Sequence, residues 1–278
     1  MILRINLNTR NLQLKKIIIT VAALISTGAL YAEENSSWGY SEQTGSENWA
    51  TLSADNFACT GKNQSPINLT GFIEADLSPI EIDYMKGGYE IVNNGHTIQV
   101  NVKEGSSIKL DGNTFNLLQV HFHAPSENNI NGKSYPLEAH LVHSDTQGNL
   151  AVIAVMFEQG IPDKGLEVKT DKYGSRQVVA AASPNKWLRN IWSAMPLHAG
   201  ETQNLSDMVN VADILPKHQD YYRFNGSLTT PPCSEGVRWI VMKDSIIVQK
   251  QQIDAFKDIL HEPNNRPLQP VNARVILQ

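Results

Sequence analysis

The chain has 278 residues, of which 41% are hydrophobic and 18% are charged, and its formal net charge at pH 7 is −5. This composition is typical of a folded globular protein, and the length suits one large domain or two small ones. The acidic balance, without any cluster of Lys and Arg, excludes proteins that bind nucleic acid or anionic membranes, because both need concentrated positive charge.

The first 32 residues have the layout of a secretory signal peptide. Four basic residues and no acid precede an apolar run at 17–30, and Ala32 stands directly before two glutamates. The run is too short to favour a membrane-spanning helix, and a small residue lies at the expected cut. We predict that residues 1–32 direct export and are removed, leaving no membrane attachment; an uncleaved anchor is the alternative. Removal would change the formal charge from −5 to −9, because residues 1–32 carry four positive charges.

The rest of the chain predicts a single domain over 33–278. Short segments rich in β-branched and aromatic residues recur between Gly, Asn and Pro, which is typical of strands. In chain order they lie at 80–84, 89–92, 97–102, 107–110, 114–122, 138–143, 150–157 and 237–242. Turn signals lie at 86–88, 111–113 and 146–149, and helical spacing is confined to 185–195 and 251–261. The predicted class is mainly β (α+β), with a large, mostly antiparallel, twisted central sheet and short peripheral helices.

Cys59 and Cys233 are the only cysteines. In an exported chain an isolated pair most simply forms one disulfide, whereas in a reducing compartment the two would be free thiols or ligands. A bridge would brace the loop at 229–232, which directly precedes Cys233.

His121 and His123 lie one residue apart in an apolar run. Side chains alternate along a strand, so both would point to the same face and could share one metal ion. Taken alone, such a pair is more often a polar part of a solvated strand face. His140 is the candidate third ligand if its strand runs antiparallel beside the first. Three histidines with an open fourth position are typical of catalytic zinc, whereas structural zinc usually has four protein ligands.

Gln119 and Glu138 each lie two residues before a candidate ligand, on the same strand face. A metal-bound imidazole normally donates its other N–H to such a group, so both are expected to orient their histidines. His143 would face the opposite side of its strand and is expected to be a core or surface residue. Solvated or structural roles are the default for the isolated histidines His198, His218 and His261.

Seven motifs give the chain a wider resemblance. They are WGYSEQTGSENW at 38–49, QSPINL at 64–69, NNGH at 93–96, QVHFHAPSEN at 119–128, PLEAHLVH at 136–143, NGSLTTPPCSEGVRW at 225–239 and RPLQPVNAR at 266–274. Together, and in this order, they resemble the α-class carbonic anhydrases, in the form found in bacteria as an exported, disulfide-bearing enzyme. The resemblance spans nearly the whole chain and implies an enzyme of the periplasm that interconverts carbon dioxide and bicarbonate.

The resemblance also implies the chemistry of the site. One zinc ion per chain would be held by the three candidate histidines, and a zinc-bound hydroxide would attack carbon dioxide. Thr229 would accept a hydrogen bond from the hydroxide and donate its own proton to Glu127, which aims the nucleophile. His96 would carry the released proton away, a task that suits an imidazole.

Further positions match the family's substrate pocket. The walls that hold carbon dioxide fall on Val142, Val152, Leu228, Val237 and Trp239. Thr230 would contact bicarbonate and the water chain. The polar side that carries ordered water falls on Tyr40, Asn94 and Gln99.

Two other function classes share some of these features. A catalytically silent zinc-binding module on the same fold is the alternative, and such modules typically lack one or more of the histidines. A zinc hydrolase is disfavoured because no HExxH motif occurs. Three imidazoles also bind cobalt or iron. The expected partners are the small-molecule substrates, without nucleic acid, and bacterial relatives make a homodimer plausible.

Overall fold

A computed structural model describes residues 38–162, 167–170, 176–179, 181–182 and 185–278 of the chain. The predicted signal peptide at 1–32 lies outside these residues. None of the described helices is long and apolar enough to cross a membrane.

The described part of the chain is mostly strand. The strands are β1 Asn68–Leu69, β2 Glu81–Asp83, β3 Lys86–Asn93, β4 Ile98–Val102, β5 Ser107–Leu110, β6 Asn113–His123, β7 Asn129–Ile130, β8 Leu137–Ser144, β9 Leu150–Gln159, β10 Ile161–Pro162, β11 Glu167–Thr170, β12 Arg176–Val179, β13 Ala181–Ala182, β14 Thr202–Asn210, β15 Tyr221–Ser227, β16 Glu235–Met242 and β17 Ile246–Val248. The α-helices are α1 Trp49–Leu52, α2 Lys186–Trp192 and α3 Lys250–Leu260, and short 3-10 helices lie at Glu42–Thr44, Ala54–Thr60 and Val211–Ile214.

Eleven strands form one large sheet. Eight of them lie in the order β14-β3-β4-β6-β8-β9-β16-β15, while β5 pairs with β6, β2 with β5 and β17 with β9. Neighbours are antiparallel except that β9 runs parallel to β16 and β17. The mainly β class with a mostly antiparallel central sheet is confirmed, although the parallel pairs were not predicted.

The sheet is buried on both faces at its centre, because hydrophobic side chains of β8 and β9 point alternately to two clusters. Leu141 belongs to the larger cluster, which α2 and α3 cover, and Val142 belongs to a smaller one on the opposite face. The two helices meet the sheet through Phe122, whose ring lies 4.9 Å from Trp192 and 6.1 Å from Phe256. Both helices were predicted, with ends displaced by one to three residues.

The turn predicted at 86–88 is wrong, because these residues begin β3. A Cβ added at Gly88 would lie 2.7 Å from Val209 Cγ2 and 3.2 Å from Val100 Cγ1. The glycine therefore permits a close approach of neighbouring strands, which is the other common reason for glycine inside a strand. The predicted turns at 111–113 and 146–149 do lie between paired strands.

β14 and β15 were not predicted. Of the nine residues of β14 only Val209 is buried, so the strand shows no alternation of polar and apolar residues. It lies at the edge of the sheet, where a strand pairs with a neighbouring strand on one side only.

The predicted disulfide between Cys59 and Cys233 is present. It joins the 3-10 helix Ala54–Thr60 to the segment between β15 and β16, across 174 residues of sequence. A link of this kind restricts the unfolded chain, so replacing both cysteines by alanine should lower the free energy of unfolding by about 2–5 kcal/mol. Urea denaturation of the mature protein, with the Cys59→Ala variant as control, checks this. Equal midpoints for wild type and double variant would contradict it.

Candidate metal centre

The pairing of β6 with β8 brings three histidines together. His121 lies directly opposite His140, and His123 lies opposite Glu138, in an antiparallel register. One nitrogen of each of the three imidazoles lies within 4.8 Å of the other two. The structure therefore assembles the three candidate ligands on one face of two adjacent strands.

Each ring has an outer nitrogen, which is the one that faces away from the other two histidines. In two of the rings this nitrogen lies within hydrogen-bond distance of a side-chain oxygen. Gln119 Oε1 lies 2.9 Å from His121 Nδ1, and Glu138 Oε1 lies 2.9 Å from His140 Nε2. These are the positions from which the sequence predicted the two groups to act.

The group that orients His123 was missed by the sequence reading. His123 Nδ1 lies 2.7 Å from the backbone carbonyl of Asn264, a residue 141 positions away. No residue spacing indicates such a partner, because a backbone carbonyl is available at every position of the chain.

The three histidines fit a zinc ion. Because an oxygen acceptor fixes the N–H on each outer nitrogen, the inner nitrogens present lone pairs to a common point. Burial, together with the neighbouring imidazoles for His121 and His140, lowers the pKa of all three rings, so they are neutral at pH 7. Three neutral imidazoles with room for a fourth ligand are the donor set of catalytic zinc.

Some buried polar atoms at or near the three histidines have no hydrogen-bond partner. The described residues contain five such side-chain atoms, and three of them are Tyr40 Oη, His123 Nε2 and Glu127 Oε2. Glu127 Oε2 lies 3.5 Å from His123 Nε2 and 3.9 Å from His140 Nδ1. Buried polar atoms are rarely left unpaired, so this grouping indicates space for a metal ion and water.

Glu127 has a buried carboxyl group, and only one of its two oxygens accepts a hydrogen bond. Its Oε1 accepts the backbone N–H of Arg266 at 2.9 Å. Burial raises the pKa of this carboxyl well above its usual range, while the Arg266 N–H and the Thr229 hydroxyl oppose the shift. A divalent cation on the neighbouring histidines would oppose this rise in the pKa of Glu127.

Glu138 also fixes the loop that carries Glu127. Its Oε2 accepts the backbone N–H groups of Glu127 at 2.7 Å and Asn128 at 2.9 Å, and its Oε1 accepts Asn128 Nδ2 at 2.8 Å. The carboxylate that orients His140 thus also sets the position of the Glu127 backbone.

A polar cleft of about 130 Å³ opens onto two of the ligands. The residues that line it are Trp38, Tyr40, Asn94, His96, Thr97, Gln99, Gln119, His121, His123 and Thr230. His96 is half-buried, and its ring stacks on Trp38 with the centroids 3.7 Å apart. Burial lowers the pKa of His96, and the negative charge of Glu262 opposes this shift.

The side chains predicted for an apolar wall belong to the smaller hydrophobic cluster or pack against it. Four of them are buried members of this cluster, namely Val142, Val152, Val237 and Trp239. Leu228 is partly exposed and packs against the same cluster. The Trp239 ring lies 4.9 Å from the His140 ring.

Arg266 connects the disulfide to Glu127, a role that the sequence reading did not find. Its Nη1 donates to Gln64 Oε1 at 2.8 Å and its Nη2 to the Cys59 carbonyl at 3.3 Å, while Gln64 Nε2 donates to the Cys233 carbonyl at 3.1 Å. Motifs at 64–69 and 266–274 contained these residues, but nothing in them indicated a shared contact.

His143 is a core histidine on the far face of β8, as predicted. Tyr84 Oη lies 2.6 Å from its Nε2, and the Ala151 carbonyl lies 3.2 Å from its Nδ1. Both contacts suit the neutral ring, with Nδ1 donating and Nε2 accepting. Burial lowers the pKa of His143 to about 4.

This pKa predicts a loss of stability in acid. Between the unfolded pKa of about 6.5 and the folded pKa of about 4, only the unfolded chain binds the proton, so stability falls as the pH falls through this window. The full effect is about 3 kcal/mol at the lower end. We expect unfolding free energies measured in urea from pH 7 to pH 4.5 to decline less steeply for His143→Gln than for wild type. Parallel declines would contradict the assignment.

Comparison with known proteins places the chain. The model of the eukaryotic-type carbonic anhydrases matches residues 44–278. A carbonic anhydrase of Pectobacterium atrosepticum is 41% identical over 247 residues, covering 88% of this chain and 92% of the relative. One from Klebsiella pneumoniae is 40% identical over 246 residues, covering 87% and 91% of the two chains. The structure of α-carbonic anhydrase from Thermovibrio ammonificans with the inhibitor sulfanilamide superposes with a TM-score of 0.78 at 40% identity, covering 87% and 98%.

Proposed function

The chain belongs to the eukaryotic-type carbonic anhydrase family and catalyses the reversible hydration of carbon dioxide to bicarbonate and a proton, and we propose that it does so with one zinc ion held by His121, His123 and His140. This proposal rests on three neutral imidazole rings. One nitrogen of each ring lies near the other two, and the other nitrogen of each ring is hydrogen-bonded to an oxygen.

A zinc ion at this point supplies a Lewis acid that makes water a nucleophile near neutral pH. The chain's own residues then decide how that nucleophile is aimed. A threonine hydroxyl that donates its proton to a carboxylate can only accept from another donor. Thr229 beside Glu127 would therefore accept a hydrogen bond from the nucleophile and leave its lone pair directed towards carbon dioxide.

Carbon dioxide needs a surface without strong hydrogen bonds. Trp239 and Val142 belong to the smaller apolar cluster beside His140, and Leu228 lies at the partly exposed margin of that cluster. Carbon dioxide would lie against these side chains, while Thr230 in the cleft would contact bicarbonate.

The released proton needs a carrier whose pKa is near that of the medium. His96 lines the same cleft as His121 and His123, and its half-buried ring can exchange protons with solvent. Tyr40, Asn94 and Gln99 would hold the water that connects the two ends of the cleft. Glu262 favours the protonated form of His96, opposing the effect of burial.

Metal removal tests the proposal. The purified mature protein should contain about one zinc per chain. Dialysis against a chelator should abolish carbon dioxide hydration in a stopped-flow assay, and stoichiometric zinc should restore it. A protein that loads zinc fully yet does not hydrate carbon dioxide would sink the enzymatic proposal and favour a silent zinc-binding module.

Export to the periplasm is part of the proposal. The disulfide and the signal-like segment at 1–32 support it. Cell fractionation followed by sequencing of the mature N-terminus would test both the compartment and the cut after Ala32. Sedimentation of the same material would distinguish the proposed homodimer from a monomer.

A further inference from the structure

Asn264 is a buried amide that joins the His96 loop to the strand that carries two metal ligands. It is 2% exposed. Its Nδ2 donates to the backbone carbonyls of His96 at 3.0 Å and Phe122 at 2.9 Å, and its Oδ1 accepts the Ala124 N–H at 2.8 Å. Phe122 is the residue between the two ligands of β6, so one side chain ties the loop to the metal-binding strand.

The backbone of Asn264 contacts the centre separately, because its carbonyl accepts from His123 Nδ1 at 2.7 Å. Substituting the side chain would leave this carbonyl in the chain. The two functions of the residue can therefore be separated by mutation.

Other contacts also hold the His96 loop, since Trp38 stacks on the His96 ring and the Asn93 carbonyl accepts the Gly200 N–H at 2.7 Å. Asn94 Oδ1 accepts the N–H groups of His96 at 3.0 Å and Thr97 at 2.9 Å, which shapes the loop internally. Asn94 and Gly95 are exposed. The Thr97 hydroxyl donates to the Phe122 carbonyl at 2.6 Å, so the same carbonyl serves as a shared anchor point.

We propose that the Asn264 side chain is a positioning residue for proton transfer, which holds His96 at a set distance from the metal ligands. This inference rests on the proposed role of His96. Transfer through ordered water depends steeply on geometry, since a displacement of about 1 Å can cost on the order of 100-fold in rate.

The test is Asn264→Ala, assayed by stopped-flow carbon dioxide hydration in dilute buffer beside His96→Ala and wild type. We expect kcat to fall about tenfold or more and by a clearly larger factor than kcat/KM, because proton release limits kcat and not the conversion of carbon dioxide. Added imidazole should restore kcat in both variants, and zinc content should remain that of wild type.

Gln252→Ala is the matched control. Gln252 is also a buried amide, and its side chain accepts the Asn185 N–H at 2.9 Å and donates to the Asn185 carbonyl at 2.9 Å. It lines no part of the cleft. Its loss should reduce stability and leave both kinetic constants and their response to imidazole unchanged.

Hydrogen exchange gives a readout independent of activity. The His96 and Thr97 amides should exchange faster in Asn264→Ala, and not in Gln252→Ala, with or without zinc. Unchanged exchange, or equal falls in kcat and kcat/KM without rescue by imidazole, would overturn the inference. A wild-type protein that fails to hydrate carbon dioxide would instead refute the proposed function, and the exchange rates would still test the positioning.

Discussion

Replacing His140 by alanine should remove bound zinc and lower kcat/KM for carbon dioxide hydration by a factor on the order of 1000 or more. His140 faces His121 across the strand pair and contributes one of the three imidazole nitrogens that could hold a metal ion together in the described part of the chain. Two imidazoles would hold the ion too weakly to keep it through purification. Metal analysis of the purified variant, beside stopped-flow kinetics, measures both losses in one preparation.

His143→Gln is the control for this prediction, because it changes a histidine of the same strand on the opposite face. It should keep its zinc and its kcat/KM. Glu138→Gln should fall between the two, with zinc affinity reduced about 10- to 100-fold, since it weakens the orientation of His140 without removing the ligand. Full zinc content in His140→Ala would refute the assigned ligand set.

Replacing Thr229 by valine should lower kcat/KM on the order of 100-fold while zinc stays bound. Valine has nearly the same shape, so the substitution removes the hydroxyl and little else. Thr229 is buried, and its hydroxyl and the charge of Arg266 both oppose the rise that burial causes in the pKa of Glu127. Without this hydroxyl the proposed nucleophile would lose the acceptor that directs its lone pair. Steady-state hydration kinetics with metal analysis would measure the effect.

Thr229→Ser should recover most of the activity, because serine keeps the donor and acceptor that valine lacks. Glu127→Gln should resemble Thr229→Val, since an amide nitrogen facing Thr229 would reverse the direction of its hydrogen bond. Wild-type rates in Thr229→Val would show that the hydroxyl does not aim the nucleophile.

The central strands and the three histidines could be predicted because both depend on a local period. Alternation along β6 places His121 and His123 on one face whatever the rest of the fold does. The segment at 138–143 was predicted as a strand from its composition, and β8 includes it, with every residue of β8 but the last buried. Gln119 and Glu138 follow from the same two-residue spacing.

Other elements were not predicted because they depend on contacts between residues that are far apart in the sequence. β14 is an exposed edge strand, and its residues resemble those of a loop. Gly87 and Gly88 have the composition of a turn, yet Gly88 serves the close packing of Val209 and Val100. Only the sheet order explains these glycines.

By itself, the sequence determined the mainly β class, the cysteine pair and the set of histidines, since these depend on residue type and strand period. Only the tertiary structure decided which groups hold His123 and Glu127 in place. Asn264 and Arg266 reach the centre through backbone atoms, with bonds to His123 and Glu127 that span 141 and 139 residues. Nearly every residue has the same backbone donor and acceptor, so the packing of the chain determines which of them pair. The amino-acid sequence therefore does not indicate these partners.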